Sequence, residues 1–370
     1  MKKLFILATC LFIIACENSS QKDVRVTIPI DGKQNFSSID NIVSKMRVLT
    51  LESADNVVLS SDNIVKCNED YIVIIDRLHS GQIHIFNIDG SYRATIAAKG
   101  RGPNEYLDMA SVQLSDDSIM IYSYHKQAVL YYDYNGKFIE SDQLEYKPYN
   151  LHKTDNGYWG YVGFGSGQMK ERVVKMDGNG AIIDKYLPTK AKIYSVTEIN
   201  DIFIECAEGI LVRESLMNEI SIINDNGASS YMSFDFGKYT IPSQYYEYSD
   251  PMKAAKMLFA TDFAMIEEFF VLKQGLIMYV SRNMQGAEQS SDVVAIMRNG
   301  EWICIETNKE DALLHKSVKG VTNNDEIVLL QDEASIRTFA EQHSKLLPAV
   351  ELKNISNNDD KYHIVLCQLK

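Results

Sequence analysis

Chemistry that announces itself through a short motif is missing from this chain. Its 370 residues hold no H-E-x-x-H, no Walker loop and no dinucleotide-binding fingerprint. Gly163-Phe164-Gly165-Ser166-Gly167 misses the nucleophile elbow because its serine is fourth, not third. Asp177-Gly178-Asn179-Gly180 opens like a calcium loop, but Pro188 stands where a bidentate glutamate is needed, so it reads as a hairpin turn. Positive charge is also scarce: 37 Lys and Arg face 50 Asp and Glu, a net charge of −13. Gripping a phosphate backbone takes clusters of Lys and Arg, so nucleic acid is excluded as a partner. No C-x-x-C pair occurs, which leaves a zinc site without support. Cys67, Cys206, Cys304 and Cys367 each lie in or beside an apolar strand-like run. They read as buried small hydrophobes, with one or two disulfides as the alternative for an exported chain.

The apolar stretch from Leu4 to Ala15 follows Lys2 and Lys3 and is too short to span a bilayer, which takes about 20 apolar residues. It reads as an export signal. It ends in Ile13-Ile14-Ala15-Cys16, which resembles the lipobox of bacterial lipoproteins, where the cysteine becomes the acylated first residue. On that resemblance, residues 1–15 are the signal peptide, Cys16 is the lipidation site and 16–23 form a tether ahead of a single domain, 24–370. Losing Lys2 and Lys3 would take the net charge from −13 to −15. Acyl chains, not a helix, would then hold the protein at a membrane of the cell envelope, in the periplasm or on the cell surface.

What the sequence does contain is a repeat. Six times a polar turn runs straight into a short apolar run, opening at Tyr71, Ile119, Tyr158, Ile210, Leu276 and Ile327. The intervals of 48, 39, 52, 66 and 51 residues are close to the ~40–50 residues of one propeller blade. A second turn follows most runs: Asp89-Gly90, Asn135-Gly136, Asp177-Gly178, Asn226-Gly227 and Asn299-Gly300. Such pairs mark hairpins because they tolerate the positive φ a tight turn requires. Runs such as Ile72-Val73-Ile74-Ile75 are apolar on both faces, as strands sandwiched between two other sheets must be. A parallel α/β sheet would also suit them, but the crossover helices it needs are absent between most runs. The fold class is therefore all-β: a six-bladed β-propeller of four-stranded antiparallel blades with short helical insertions. The first blade is expected at 62–67, 71–75, 83–88 and 91–98, and the second at 109–114, 118–122, 127–133 and 137–142. After Ile327 only one further strand remains, Tyr362 to Leu369, so the early strand Arg47 to Leu51 is expected to complete the sixth blade and close the ring.

The segment Lys99-Gly100-Arg101-Gly102-Pro103-Asn104-Glu105-Tyr106 resembles the glycine-proline-glutamate-aromatic segment of bacterial six-bladed propeller lipoproteins of the NHL-like kind. The lipobox and the closing stretch Tyr362 to Lys370 resemble that family's two ends. The resemblance implies the fold and a cell-envelope location; it carries over no catalytic residue.

Strand direction decides which loops share a face. In each blade the a-to-b and c-to-d turns lie at one end of the ring, and the b-to-c and d-to-a loops at the other. The tight Asp-Gly and Asn-Gly turns fall at the first end. The long connections gather Arg77, His79, Arg101, Glu105, Tyr106, His125, Lys126, Arg213, Glu214, Arg282, Gln285 and Glu288 at the second. Of these, Arg77, His79, Arg101, Glu105, Tyr106, His125, Arg213 and Arg282 are the candidate ligand-binding residues, since arginine takes carboxylate oxygens in bidentate fashion and loops on a rigid scaffold carry function. Arg101 and Glu105 could equally pair with each other and pin their loop, and both histidines suit plain surface positions. The same face receives two insertions. One, about 239–261, carries Tyr245, Tyr246 and Tyr248, which either pack or touch ligand, and then a helix with Asp250 at the N-cap and Pro251 first. The other, 334–347, places Ile336, Phe339, Ala340 and Leu347 on one helical stripe.

This pattern points to a lipid-anchored module that binds a small molecule, glycan, peptide or envelope protein on its loop-rich face, with no cofactor required. The alternative is a metal-dependent hydrolase or lyase of the lactonase kind at the channel mouth, with a calcium or zinc ion held by converging carboxylates. A third possibility is a purely structural envelope subunit. If Cys16 is the anchor, Cys16→Ala should move the protein from the membrane to the soluble fraction; unchanged fractionation would refute it.

Overall fold

The computed structural model describes residues 24–28, 30, 36–54, 57–163, 169–189, 192, 201–214, 216–224, 226–273, 275–283, 291–298, 300–307, 318–353, 355 and 361–370. Cys16 and the signal, the glycine run at 164–168, and Gln285, Glu288 and Asn299 lie outside them. Two strands precede the repeats, β1 (Val24–Thr27) and β2 (Val43–Leu49). Blade 1 is β3 (Ile64–Cys67), β4 (Tyr71–Asp76), β5 (Gln82–Asn87) and β6 (Tyr92–Ile96). Blade 2 is β7 (Ser111–Leu114), β8 (Ile119–Ser123), β9 (Ala128–Tyr132) and β10 (Phe138–Gln143). Blade 3 is β11 (Asn150–Thr154), β12 (Gly157–Tyr161), β13 (Glu171–Met176) and β14 (Ile182–Pro188). Blade 4 is β15 (Phe203–Cys206), β16 (Gly209–Arg213), β17 (Glu219–Asn224) and β18 (Gly227–Asp235). Blade 5 is β19 (Phe263–Leu272), β20 (Gly275–Asn283), β21 (Ser291–Arg298) and β22 (Glu301–Thr307). Blade 6 takes β23 (Val318–Val321), β24 (Glu326–Asp332) and β25 (Tyr362–Leu369), and its outer strand is β2.

The expected closure is what the structure shows. β2 pairs antiparallel with β25, with Arg47 opposite Leu366, Val48 opposite Val365 and Leu49 opposite Ile364. One feature escaped the sequence reading: β1 adds a fifth strand to blade 4, parallel to β18, with Val24 opposite Met232.

Side-chain alternation explains why the sheets stack into a ring. Along β4, Val73 and Ile75 join Ile119, Ile121 and Leu130 of blade 2, whereas Ile72 and Ile74 join Val328, Leu330 and Ile364 of blade 6. The same division recurs at each seam. Tyr122 and Val129 meet Tyr158 and Val174; Trp159 and Val173 meet Val212; Ile220 and Ile222 meet Met278 and Val280; Ile277 and Val294 meet Leu329 and Val365. A strand buried on both sides has no polar face, which is why these runs are continuous rather than alternating. Fully burying each such side chain is worth about 1.5–3 kcal/mol.

At the rim, the exits of the outer strands of blades 6 and 2 run against the c-to-d turns of blades 1 and 3. A side chain at Gly90 (φ +88°) would collide with the Thr50 carbonyl oxygen, and one at Gly180 (φ +78°) would come within 2.8 Å of Leu144 Cβ. These turns need glycine for both conformation and clearance. Asp177 Oδ1 accepts the backbone N–H of Asn179 (2.9 Å) and Ala181 (3.0 Å), so the segment resembling a calcium loop is a hairpin turn.

Both insertions form the expected helices. α1 (Ile39–Ile42) is a single turn. In α2 (Pro251–Phe259) the Asp250 carboxylate caps Met252 N and Lys253 N. α3 (Glu333–Gln342) buries Ile336, Phe339 and Ala340, and Leu347 joins the same cluster. The tyrosines pack the first insertion: Tyr245 is buried against Ala254 and Leu258, and Tyr246 donates to Leu216 O at 2.8 Å. Cys67, Cys206, Cys304 and Cys367 are all free thiols, and burial pushes those of Cys67 and Cys304 up to about 12. No described helix is long and apolar enough to cross a membrane.

Because β25 lies between β24 and β2, deleting residues 362–370 removes both pairings at once. The truncated chain should aggregate or unfold as a whole, seen by size exclusion and melting. A monomer with near-native melting would contradict closure as the organising contact.

Candidate functional site

Two cavities adjoin on the axis of the ring. The first, about 400 Å³, opens where the loops of blades 1 and 2 meet on the loop-rich face. Arg77 and Leu78 come from the loop after β4, Lys99, Tyr106 and Asp108 from the connection between blades, and Tyr124 and His125 from the loop after β8. The second, about 350 Å³, is the central channel, lined by side chains from all six inner strands. Asn150 and Ile202 line both, so the outer cavity leads into the channel.

The loops around the outer cavity are fixed by carboxylates. Asp76 accepts His79 N (3.0 Å), Ser80 N (2.8 Å) and the Ser80 hydroxyl (2.6 Å). Burial works against its charge, but the bonds from Ser80 and His79 outweigh it and hold this carboxyl below its usual range. Asp108 does the same for the next loop, accepting Tyr124 N and His125 N, both at 2.8 Å. It also meets His125 Nδ1 at 2.9 Å, which orients the imidazole with Nε2 outward. Tyr124 stacks on Tyr149 with ring centroids 5.4 Å apart, and Lys147 Nζ sits 3.9 Å over Tyr124. The result is a wall of flat π-faces beside cations.

The structure brings together only part of the residue set read from the sequence. Arg77, Tyr106 and His125 line the outer cavity. Tyr106 is fully buried, with its hydroxyl donating to Gly81 O at 2.7 Å, so it anchors the loop from beneath. His79 is exposed and stands 3.9 Å from Asp62 outside the lining. The pairing of Arg101 with Glu105 does not form: Arg101 is exposed, and Glu105 turns back to accept Gly102 N at 2.7 Å. A side chain at Gly100 would displace the Glu105 carboxylate from Gly102 N. Lys126 closes the loop by donating to the carbonyls of Gly102, Pro103 and Glu105.

Arg213 and Arg282 lie apart from the cavity and are 1% and 3% exposed. Arg213 donates to the carbonyls of Ile266 and Glu267, tying blade 4 to blade 5. Arg282 donates to Ile30 O at 2.7 Å and pairs with Glu306, fastening the segment after β1. Arg172, which sequence reading passed over, pairs with Glu214 across the seam of blades 3 and 4. Buried arginine satisfied by carbonyls and carboxylate is a structural tie, and nothing in local sequence separates it from a ligand-binding arginine.

Sequence reading also left out Lys99 as a site residue and the side chains that line the channel. Lys99 bridges Tyr106 through its backbone and is exposed in the outer cavity, where no carboxylate of the described residues pairs with its ammonium. Among the described residues no three His, Cys, Asp or Glu stand as a group that could hold a metal ion.

Comparisons with known proteins come down to fold and family. A family model described as "Domain of unknown function (DUF4934)" matches residues 25–362. A Bacteroides fragilis structure described as a "Putative exported protein" is similar over 94% of this chain and 100% of its own, at 16% identity and a TM-score of 0.72. A Bacteroides vulgatus member of the DUF4221 family is similar over 89% of this chain and 97% of its own, at 12% identity and a TM-score of 0.54. Comparison with curated proteins returns no match. At these identities the likeness is one of fold alone.

Glu105→Gln should lower stability by about 1 kcal/mol, because a charge-assisted bond to Gly102 N is weakened, while Arg101→Gln changes nothing measurable. Urea unfolding of the two variants checks this. Equal destabilisation by both would restore the ion pair as the loop's brace.

Proposed function

The chain belongs to the DUF4934 family, and from the geometry of its loop-rich face we propose that it is an exported, lipid-anchored propeller that binds a polar, anionic ligand there. The observation that carries this reading is the outer cavity of about 400 Å³, where Arg77, Lys99 and the oriented His125 stand beside the stacked Tyr124 and Tyr149. Its volume lies within the range that holds small ligands. Arginine and lysine favour carboxylate or similar oxygens, and the aromatic wall accepts the flat face of a sugar or peptide group. A carboxylated glycan or an acidic peptide segment fits that chemistry best.

The lipid anchor rests on Ile13-Ile14-Ala15-Cys16. β1 is the outermost strand of blade 4, so Val24 lies on the rim of the ring.

Screening acidic glycans and acidic peptides by thermal shift should yield a binder, and Arg77→Ala or Lys99→Ala should each weaken it about tenfold, near 1.4 kcal/mol, with unchanged melting of the free protein. A binder indifferent to both substitutions, or no binder at all, would overturn the reading.

A further inference from the structure

The channel carries a charge pattern that the loop-face reading does not use. Blade 1 stands opposite blade 4 in the ring, yet Lys66 of β3 reaches across to Asp201, just before β15, at 2.7 Å. That pair satisfies itself and leaves two charges over. On the blade 4 side, Glu205 has one carboxylate oxygen 3.2 Å from His152 Nε2 and 3.4 Å from Gln113 Nε2. Its other oxygen has no partner among the described residues, and its side chain is 70% exposed within the channel. On the blade 6 side, Lys319 donates to Ser61 O at 2.6 Å; Glu268 and Asp62 favour its charge, but no carboxylate of the described residues lies within ion-pair distance. Phe270 of blade 5 lies on the wall between these two blades.

We propose that the central channel is a second binding site, and that it takes a small zwitterion, a molecule with an ammonium and a carboxylate on one short apolar skeleton. The ammonium meets Glu205, the carboxylate meets Lys319, and the apolar part lies against Phe270. Complementarity selects the zwitterion over either half. A bare carboxylate would leave the charge of Glu205 unmatched, and a bare amine would leave that of Lys319 unmatched. The hydrogen bond from His152 holds Glu205 ionised below the usual carboxylate range, with Lys66 adding to the effect. Burial lowers the pKa of Lys319 more than Glu268 and Asp62 raise it, so an arriving carboxylate would further favour its charged form. This site is separate from the outer cavity and does not rest on the reading given for it.

The test uses the mature chain with the twenty standard amino acids, followed by two half-molecules of leucine: 4-methylpentanoate, which keeps the carboxylate, and 3-methylbutylamine, which keeps the amine. Calorimetry should find at least one apolar amino acid that binds, and for leucine each half-molecule should bind at least tenfold more weakly. Glu205→Gln and Lys319→Met should each reduce amino-acid binding tenfold or more, while Arg101→Gln, outside both cavities, leaves it unchanged. Glu205 is exposed enough that its amide folds normally, so that variant stays informative if Lys319→Met is unstable. Absence of binding by every amino acid, equal binding by a half-molecule, or binding indifferent to Glu205→Gln would overturn the proposal.

Discussion

A four-stranded blade has two apolar faces and can leave neither to water. Everything else in this structure depends on that constraint. Ile72 and Ile74 need blade 6 as much as Val73 and Ile75 need blade 2, so the array is stable only when the last seam is sealed. The chain seals it by pairing β2 with β25 across more than 300 residues of sequence. Closure also removes the two free sheet edges that an open array would present. The contact is entropically expensive to form, because a loop of that length must be ordered first, and it is repaid only once all six seams are packed.

The ring was legible because its signals are local and repeated. Tyr71, Ile119, Tyr158, Ile210, Leu276 and Ile327 each open the second strand of a blade or lie within a residue of its start. Asp89-Gly90, Asn135-Gly136 and Asp177-Gly178 each fall in a c-to-d turn. Strand bounds in the first two blades were right to within about two residues. The site was far less legible, for a physical reason. Arg77, Arg213 and Arg282 stand at similar points in their blades, yet one lines a cavity and two are buried against carbonyls of distant chain. What separates them is distant chain, such as Ile30 for Arg282, and no local window contains it. The parallel strand β1 carries no turn signal, and the bond between Lys66 and Asp201 joins residues 135 apart.

The functional argument follows from the rigidity of the ring. Glu105 and Lys126 tie one connection to its own backbone, while Asp76 and Asp108 cap the loops after β4 and β8. The cavity between them is thus preorganised, and a ligand need not order it on arrival. Cations and stacked aromatics at the mouth suit a polar, anionic group, whereas the channel behind is polarised across its section, positive on blades 1 and 6 and negative on blade 4. Two adjoining cavities of different charge pattern on one axis are what a binding module with two separate ligand chemistries would have.

Native-state hydrogen exchange tests the central claim, that closure makes the six blades one cooperative unit. Amides of β2 and β25 should exchange with the same opening free energy as those of β8 and β12 on the far side of the ring, because opening the last seam exposes its neighbours in turn. Exchange of β2 and β25 through a local opening, with blades 2 and 3 still protected, would contradict the account.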